Sequence, residues 1–339
     1  MEQGKAPGMR LLACAAALAL ALPALPQGQQ AQQGLSQAPT IKAEVNLVNL
    51  FATVRDKNKR IVTDLKQDDF KVFEDGREEK IAFFSKEMQL PITLGLLLDT
   101  SGSEQYMLGA IQDAGARFLH RVLKKGDEAM VISFDTDVDL LADFTDDRAI
   151  LDRAIRKARI NTPGGGYIAG NPGPVPGAGS VGTALYDAIY LACSEKLNGE
   201  AGRKAVVIVT DAQDEGSKVR LEEAIEAAQK ADAIIYGFWY VDRRFYMSRG
   251  MVFAGSSDSS LRQMSEDTGG HVFHIDNKLT LQDAFSQLQE DMRSQYAIGY
   301  TPTNPTKDGT FRKIEIRTGN KDWKVQARKG YYAIKTDNN

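Results

Sequence analysis

Apolar and polar positions change their rhythm twice along this chain. From residue 41 to residue 86 they alternate with period two, the mark of strands with one buried face. Val45, Leu47 and residues 50–54 read as a strand pair or one bent strand, and Asp56, Lys57, Asn58 and Lys59 as a turn. Phe70, Val72 and Phe73, followed by Glu74, Asp75 and Gly76, read as a hairpin whose return strand is expected at 81–84. From Leu90 the pattern becomes continuous apolar runs separated by helix-spaced segments. The runs at 92–98 and 205–209 are those of strands covered on both faces. Further strands are expected at 129–134, 138–144, 233–241 and 271–275. Helical spacing covers 107–122, 150–158, 185–192, 221–231, a short stretch at 261–264, and 281–292. Period two returns at 296–300, 311–317 and 323–327.

Strands alternating with helices over the middle of the chain predict an α/β fold, a doubly wound, mostly parallel sheet with helices on both faces. The acidic turn at 135–139 predicts one antiparallel edge strand. Each flanking β segment is too small to bury a core of its own. The economical expectation is one small all-β, sandwich-like module built from both flanks. The divisions expected are 41–88 for the N-terminal β segment, 89–293 for the α/β domain and 294–334 for the C-terminal β segment.

The first residues change the picture of where such a protein works. Lys5 and Arg10 precede an unbroken apolar run at 11–22, closed by Pro23. A run of 12 residues is too short to span a bilayer, which takes about 20, and it suits the core of an export signal. Residues 1–24 are read as that signal and 25–40, rich in Gln, Pro and Ala, as a flexible leader. The expected location is secreted or periplasmic, with no membrane span after signal cleavage.

Composition removes several classes of function. The net charge of −3 carries no footprint for nucleic acid. The two cysteines, Cys14 and Cys193, exclude a disulfide framework and a cysteine zinc site. Three histidines, His120, His271 and His274, leave little for a His-rich centre. His271 and His274 read as structural, and Asp135, Asp137 and Asp139 as turn acids, because Leu140 stands where a calcium loop needs Gly.

The chemistry concentrates where the apolar strands end. The first run leads into Asp99-Thr100-Ser101-Gly102-Ser103, a D-x-S-x-S pattern, and the second into Thr210-Asp211-Ala212-Gln213-Asp214. Between them Gly182-Thr183 opens a helix. Ligands of open α/β sheets bind beyond the carboxyl ends of the strands. Two carboxylates and three hydroxyls at that rim form an all-oxygen set suited to a hard divalent cation. Taken alone, the D-x-S-x-S run also reads as a helix cap.

These three motifs, in this order, resemble the metal-ion-dependent adhesion site of von Willebrand factor type A domains, over about residues 90–293. The phrases DFKVFEDG, SQYAIGYTP and ARKGYYA in the flanks are similar to those of secreted bacterial relatives known best from Acidobacteria. The resemblance implies that Asp99, Ser101, Ser103, Thr183 and Asp211 hold Mg²⁺, with Mn²⁺ or Ca²⁺ as alternatives. It also implies an unidentified protein partner that completes the shell with an Asp or Glu, and no enzymatic turnover. One residue departs from the pattern, since Ala212 stands where the family commonly has Gly. Alanine takes positive φ only at a cost, so a slightly different turn after Asp211 is expected.

Other signals weigh less. Gly177 to Gly182 spells G-x-G-x-x-G, but the Pro-rich stretch before it precludes the strand a dinucleotide site needs. The Gly- and Pro-rich stretch 161–182 reads either as a plain surface loop or as a specificity loop beside the metal. Arg243, Arg244, Phe245, Tyr246, Met247 and Arg249 form a basic-aromatic loop open to the same two readings. Two alternatives to adhesion remain at this point: an envelope scaffold with a vestigial site, and a metal-dependent hydrolase, for which no general base stands in the motifs.

Overall fold

The computed structural model describes residues 47–86, 90–160, 182–242 and 257–334. The expected export signal, the leader, the 161–181 stretch and the 243–256 loop lie outside the described residues. Along the chain the first strands are β1 (Val48–Arg55), β2 (Phe70–Glu74), β3 (Arg77–Glu79) and β4 (Ile81–Ser85). The central region comprises β5 (Ile92–Asp99), helix α1 (Leu108–Val122), β6 (Glu128–Phe134), β7 (Val138–Thr145), α2 (Arg148–Lys157) and α3 (Leu185–Leu191). It continues through β8 (Arg203–Thr210), α4 (Leu221–Lys230), β9 (Ala233–Trp239), α5 (Ser259–Thr268), β10 (Val272–His274) and α6 (Leu281–Arg293). The last strands are β11 (Tyr296–Tyr300), β12 (Phe311–Thr318), β13 (Lys324–Gln326) and β14 (Gly330–Tyr332).

The continuous apolar run of β5 is explained by helices on both of its faces. Successive side chains of a strand point to opposite sides. Leu94, Leu96 and Leu98 accordingly pack with α1, α2 and α6, whereas Leu97 packs with α3, α4 and α5. All four leucines are fully buried, each contributing about 1.5–3 kcal/mol relative to exposure. Strands β5, β6, β8, β9 and β10 are parallel, and β7 pairs antiparallel at one edge, as its acidic turn predicts. The order is β10-β9-β8-β5-β6-β7. The chain direction of winding reverses between β5 and β8, so their carboxyl ends flank the crevice where such sheets bind ligands.

The flanking strands form two four-stranded sheets, β13-β1-β11-β4 and β14-β12-β2-β3. Both chain ends contribute to each: β1 pairs with β11 and β2 with β12. Their inward faces share one core, including Leu50, Ala52, Val54, Phe70, Val72, Tyr296, Ile298, Tyr300 and Ile314.

One expectation is corrected here. The return strand of the first hairpin is Arg77–Glu79, not 81–84. Asp75 and Gly76 have φ of 47° and 84°, a two-residue loop of the kind that closes a hairpin immediately, so Glu74 pairs with Arg77. Past Lys80 the chain crosses to the other sheet, where β4 pairs with β11. Strand β14 was too short to give a periodic signal. Helix α5 runs over ten residues rather than the short stretch at 261–264, closed by Gly269 in the left-handed conformation (φ 95°).

Candidate metal centre

Asp99 is the last residue of β5, and the chain turns sharply beyond it. The Ser101 amide donates to Asp99 Oδ1 at 2.9 Å, and the Thr210 hydroxyl at the end of β8 donates to Asp99 Oδ2 at 2.6 Å. These bonds lock the carboxylate of one strand to the tip of its neighbour across the switch point. A short 3₁₀ turn, Gly102–Glu104, follows. The hydroxyl of Ser101, just before this turn, lies 3.0 Å from that of Ser103 within it.

Thr183 is brought to the same rim by backbone bonds to two other loops. The Ala184 amide donates to the Asp135 carbonyl at 2.5 Å, and the Glu215 amide to the Thr183 carbonyl at 3.1 Å. Side chains pin the start of α3 as well. Ser217 Oγ accepts from the Tyr186 and Asp187 amides, and Asp187 accepts from those of Lys218 and Val219. Asp211 follows β8, its Oδ1 accepting from the Gln213 amide at 3.2 Å and its carbonyl from the Trp239 indole at 3.0 Å.

The turn after Asp211 does not shift to spare Ala212. Ala212 adopts φ 64°, the left-handed conformation glycine would take, with the Thr210 hydroxyl accepting from its amide at 3.0 Å. Its methyl group is buried in the core against α3 and α4. The expectation of a different turn is thus corrected: the strain, about 1–2 kcal/mol, is accepted and the geometry kept.

All five residues singled out from sequence lie at this rim, and four are essentially buried: Asp99 at 0%, Ser101 at 8%, Thr183 at 6% and Asp211 at 2% exposure. Burial, then the nearby Asp211 charge, pushes the Asp99 carboxyl up to about 7, against the hydrogen bonds from Ser101 and Thr210.

Sequence reasoning missed two acids. Glu104, directly after Ser103, is 1% exposed, and one oxygen from each of Asp99, Glu104 and Asp211 lies within 4.8 Å of the others. Burial, followed by the charges of Asp99, Asp211 and Asp242, raises the Glu104 carboxyl well above the usual range. In sequence Glu104 reads as an ordinary acid at a helix start, and nothing in the spacing shows that it turns inward. Asp242, 3% exposed beyond β9, was legible as one more strand-end acid at the same rim. The donor set is all oxygen, and both Glu104 oxygens are buried without a hydrogen-bond partner among the described residues. Such a cluster fits a hard divalent cation, which would offset charge that burial otherwise makes costly.

The remaining candidates are structural. His271 packs at a tilt against the Phe273 ring and faces Asp291, and burial holds its pKa down to about 4. His274 bonds Asp258 at 2.7 Å. Asp135 accepts from the Thr136 hydroxyl and the Asp137 amide within its own turn.

No curated protein matches the chain. Among solved structures it is similar to BatB from Bacteroides thetaiotaomicron at 16% identity, covering 59% of this chain and 97% of that one with a TM-score of 0.44. It is similar as well to proximal thread matrix protein 1 from the mussel byssus at 16% identity, covering 65% of this chain and 51% of that one, TM-score 0.45. A form of the mussel protein with a zinc-occupied MIDAS motif gives 17% identity, 63% and 48% coverage and a TM-score of 0.44. The family model for the von Willebrand factor type A domain matches residues 94–213, which span Asp99, the Ser101–Ser103 pair, Thr183 and Asp211. Residues 94–213 of this chain therefore match the von Willebrand factor type A domain family.

Proposed function

We propose that this protein is exported and binds a protein partner through a divalent cation, Mg²⁺ in the first place, without catalytic turnover. The observation that carries the reading is the convergence of Asp99 and Asp211, buried at adjacent strand ends, with the adjoining Ser101 and Ser103 hydroxyls. Asp99, Ser101, Ser103, Thr183 and Asp211 would hold the ion. When bound, the cation supplies positive charge that an Asp or Glu of the partner can meet. The protein's own residues do the positioning: Thr210 and the Ser101 amide fix the Asp99 carboxylate, and the Glu215 amide holds the Thr183 backbone. Such preorganisation lowers the ordering cost of binding. The stretches 161–182 and 243–257, adjoining this rim in sequence, would set specificity. Export rests on residues 1–24, and the domain division 41–88, 89–293 and 294–334 belongs to the same proposal. No helix among the described residues is long and apolar enough to cross a membrane.

Calorimetric titration of Mg²⁺ and Mn²⁺ into the full chain, with Asp99→Ala as control, tests the site. One saturable site, absent in the variant, is expected. Adding acetate as a carboxylate probe to the Mn²⁺-loaded chain should then lower water proton relaxivity as the acid displaces bound water. Saturable binding that survives Asp99→Ala, or no binding of either ion, would sink the proposal.

A further inference from the structure

We infer that Glu104 is a third carboxylate ligand of this site, so that the chain itself holds the cation firmly before any partner arrives. This rests on the metal-binding reading above and adds to it a residue that the five-residue set does not include. Glu104 is 1% exposed, and its neighbours Leu108 and Ile111 are core residues, 8% and 0% exposed. An apolar side chain would fill such a position with no electrostatic cost. A carboxylate stands there instead, and among the described residues neither of its oxygens has a hydrogen-bond partner. Buried polar groups in native proteins are nearly always satisfied, and an exception calls for a missing ligand or ion.

The geometry says where the missing partner belongs. One oxygen each from Asp99, Glu104 and Asp211 can be chosen so that all lie within 4.8 Å of one another. Oxygens at about 2.1 Å from a common octahedral centre are about 3.0 Å apart when adjacent and about 4.2 Å apart when opposite. A cation radius slightly larger, as for calcium at about 2.4 Å, opens these separations to about 3.4 and 4.8 Å. The three acids are therefore close enough for one cation to draw them into a single coordination sphere. Among the described residues no cationic side chain hydrogen-bonds to Asp99 or Glu104; the Asp99 partners there are an amide and a hydroxyl.

A consequence follows for the site's chemistry. Two carboxylates neutralise a divalent cation, and a third leaves the occupied site with one net negative charge, so a partner's acid would reach the cation by displacing Glu104 and not by adding to the set. The third charge deepens the well for the ion and favours cations of higher charge, so retention does not wait for a partner's acid.

The test uses the full-length protein, Mn²⁺ and Tb³⁺ as probes, and the variant Glu104→Gln, which keeps shape and removes charge. Calorimetry should show wild-type Mn²⁺ binding without any partner, weakened about 10-fold or more in Glu104→Gln, with Tb³⁺ weakened more than Mn²⁺. A Mn²⁺-loaded crystal of the wild-type protein should place a Glu104 oxygen at roughly 2.2 Å from the ion. This second measurement decides the matter if the variant does not fold. Equal Mn²⁺ affinity in Glu104→Gln and wild type, or a crystal with the ion on Asp99 and Asp211 and Glu104 beyond reach, overturns the inference and leaves the metal-dependent reading standing. Absence of binding in the wild type overturns both.

Discussion

Stripping the protein of divalent cations should make its stability depend on pH in a direction opposite to that of most carboxylates. Asp99 is held at about 7 in the folded chain against 3.8 for an ordinary aspartate, by burial first and by the Asp211 charge second. The folded state therefore keeps a proton that the unfolded state gives up. Stability linked to Asp99 is fully present below about pH 4 and is lost progressively as pH rises to about 7. The difference corresponds to about 4 kcal/mol at most, or very roughly 8–16 °C in melting temperature for a domain of this size. Other buried groups titrate as well. Asp291, pushed up to about 6 by burial beside Arg55, and Glu104, raised well above the usual range by burial, add to the fall, whereas His271, held down to about 4, opposes it. The Asp99 part is isolated by comparing wild type with Asp99→Asn, both in EDTA, by thermal unfolding at pH 5 and pH 8. The wild type should lose more stability between these values than the variant does. Saturating Mn²⁺ at pH 8 should return most of that loss to the wild type alone. Parallel pH profiles for the two proteins in EDTA would refute the reasoning, because they would show that Asp99 is ionised in the folded metal-free chain like any surface acid.

Four further outcomes are expected. Tyr300→Phe removes the hydroxyl that donates to Glu74 at 2.6 Å, leaving this buried acid with Tyr331, at 3.1 Å, as its side-chain donor among the described residues; urea unfolding should show a loss of about 1.5–3 kcal/mol. Ala212→Gly relieves about 1–2 kcal/mol of left-handed strain but gives up a buried methyl worth about 0.8 kcal/mol and adds about 0.5–1 kcal/mol of chain entropy, so the melting temperature should barely move. Ala212→Val, branched at a position that needs positive φ, should cost at least about 2 kcal/mol in the same assay. The Cys193 thiol, fully buried and pushed up to about 12, should react with Ellman's reagent only as fast as the chain unfolds, and rapid labelling of the native protein would contradict its placement.

What the sequence determined was whatever depends on local period and on order along the chain. A run apolar at every position, such as 92–98, can be satisfied only by cover on two faces, and alternation with helix-spaced segments then leaves the doubly wound sheet. The two rim carboxylates were legible for a related reason: strand ends of such a sheet share one rim, so Asp99 and Asp211 fall together whatever the loops do. Tertiary structure alone decided matters that turn on which way a side chain or strand goes after a bend. The Asp75–Gly76 loop closed the hairpin at Arg77 and sent 81–85 to the other sheet, since positive φ at both residues set the register before periodicity could act. Ala212 kept a strained turn because hydrogen bonds to Thr210 and burial of its methyl outweigh the local preference. Glu104 is the clearest case. Its charge is written in the sequence, but its role depends on being buried within reach of two acids that are 5 and 107 residues away, and only the folded chain brings those charges together.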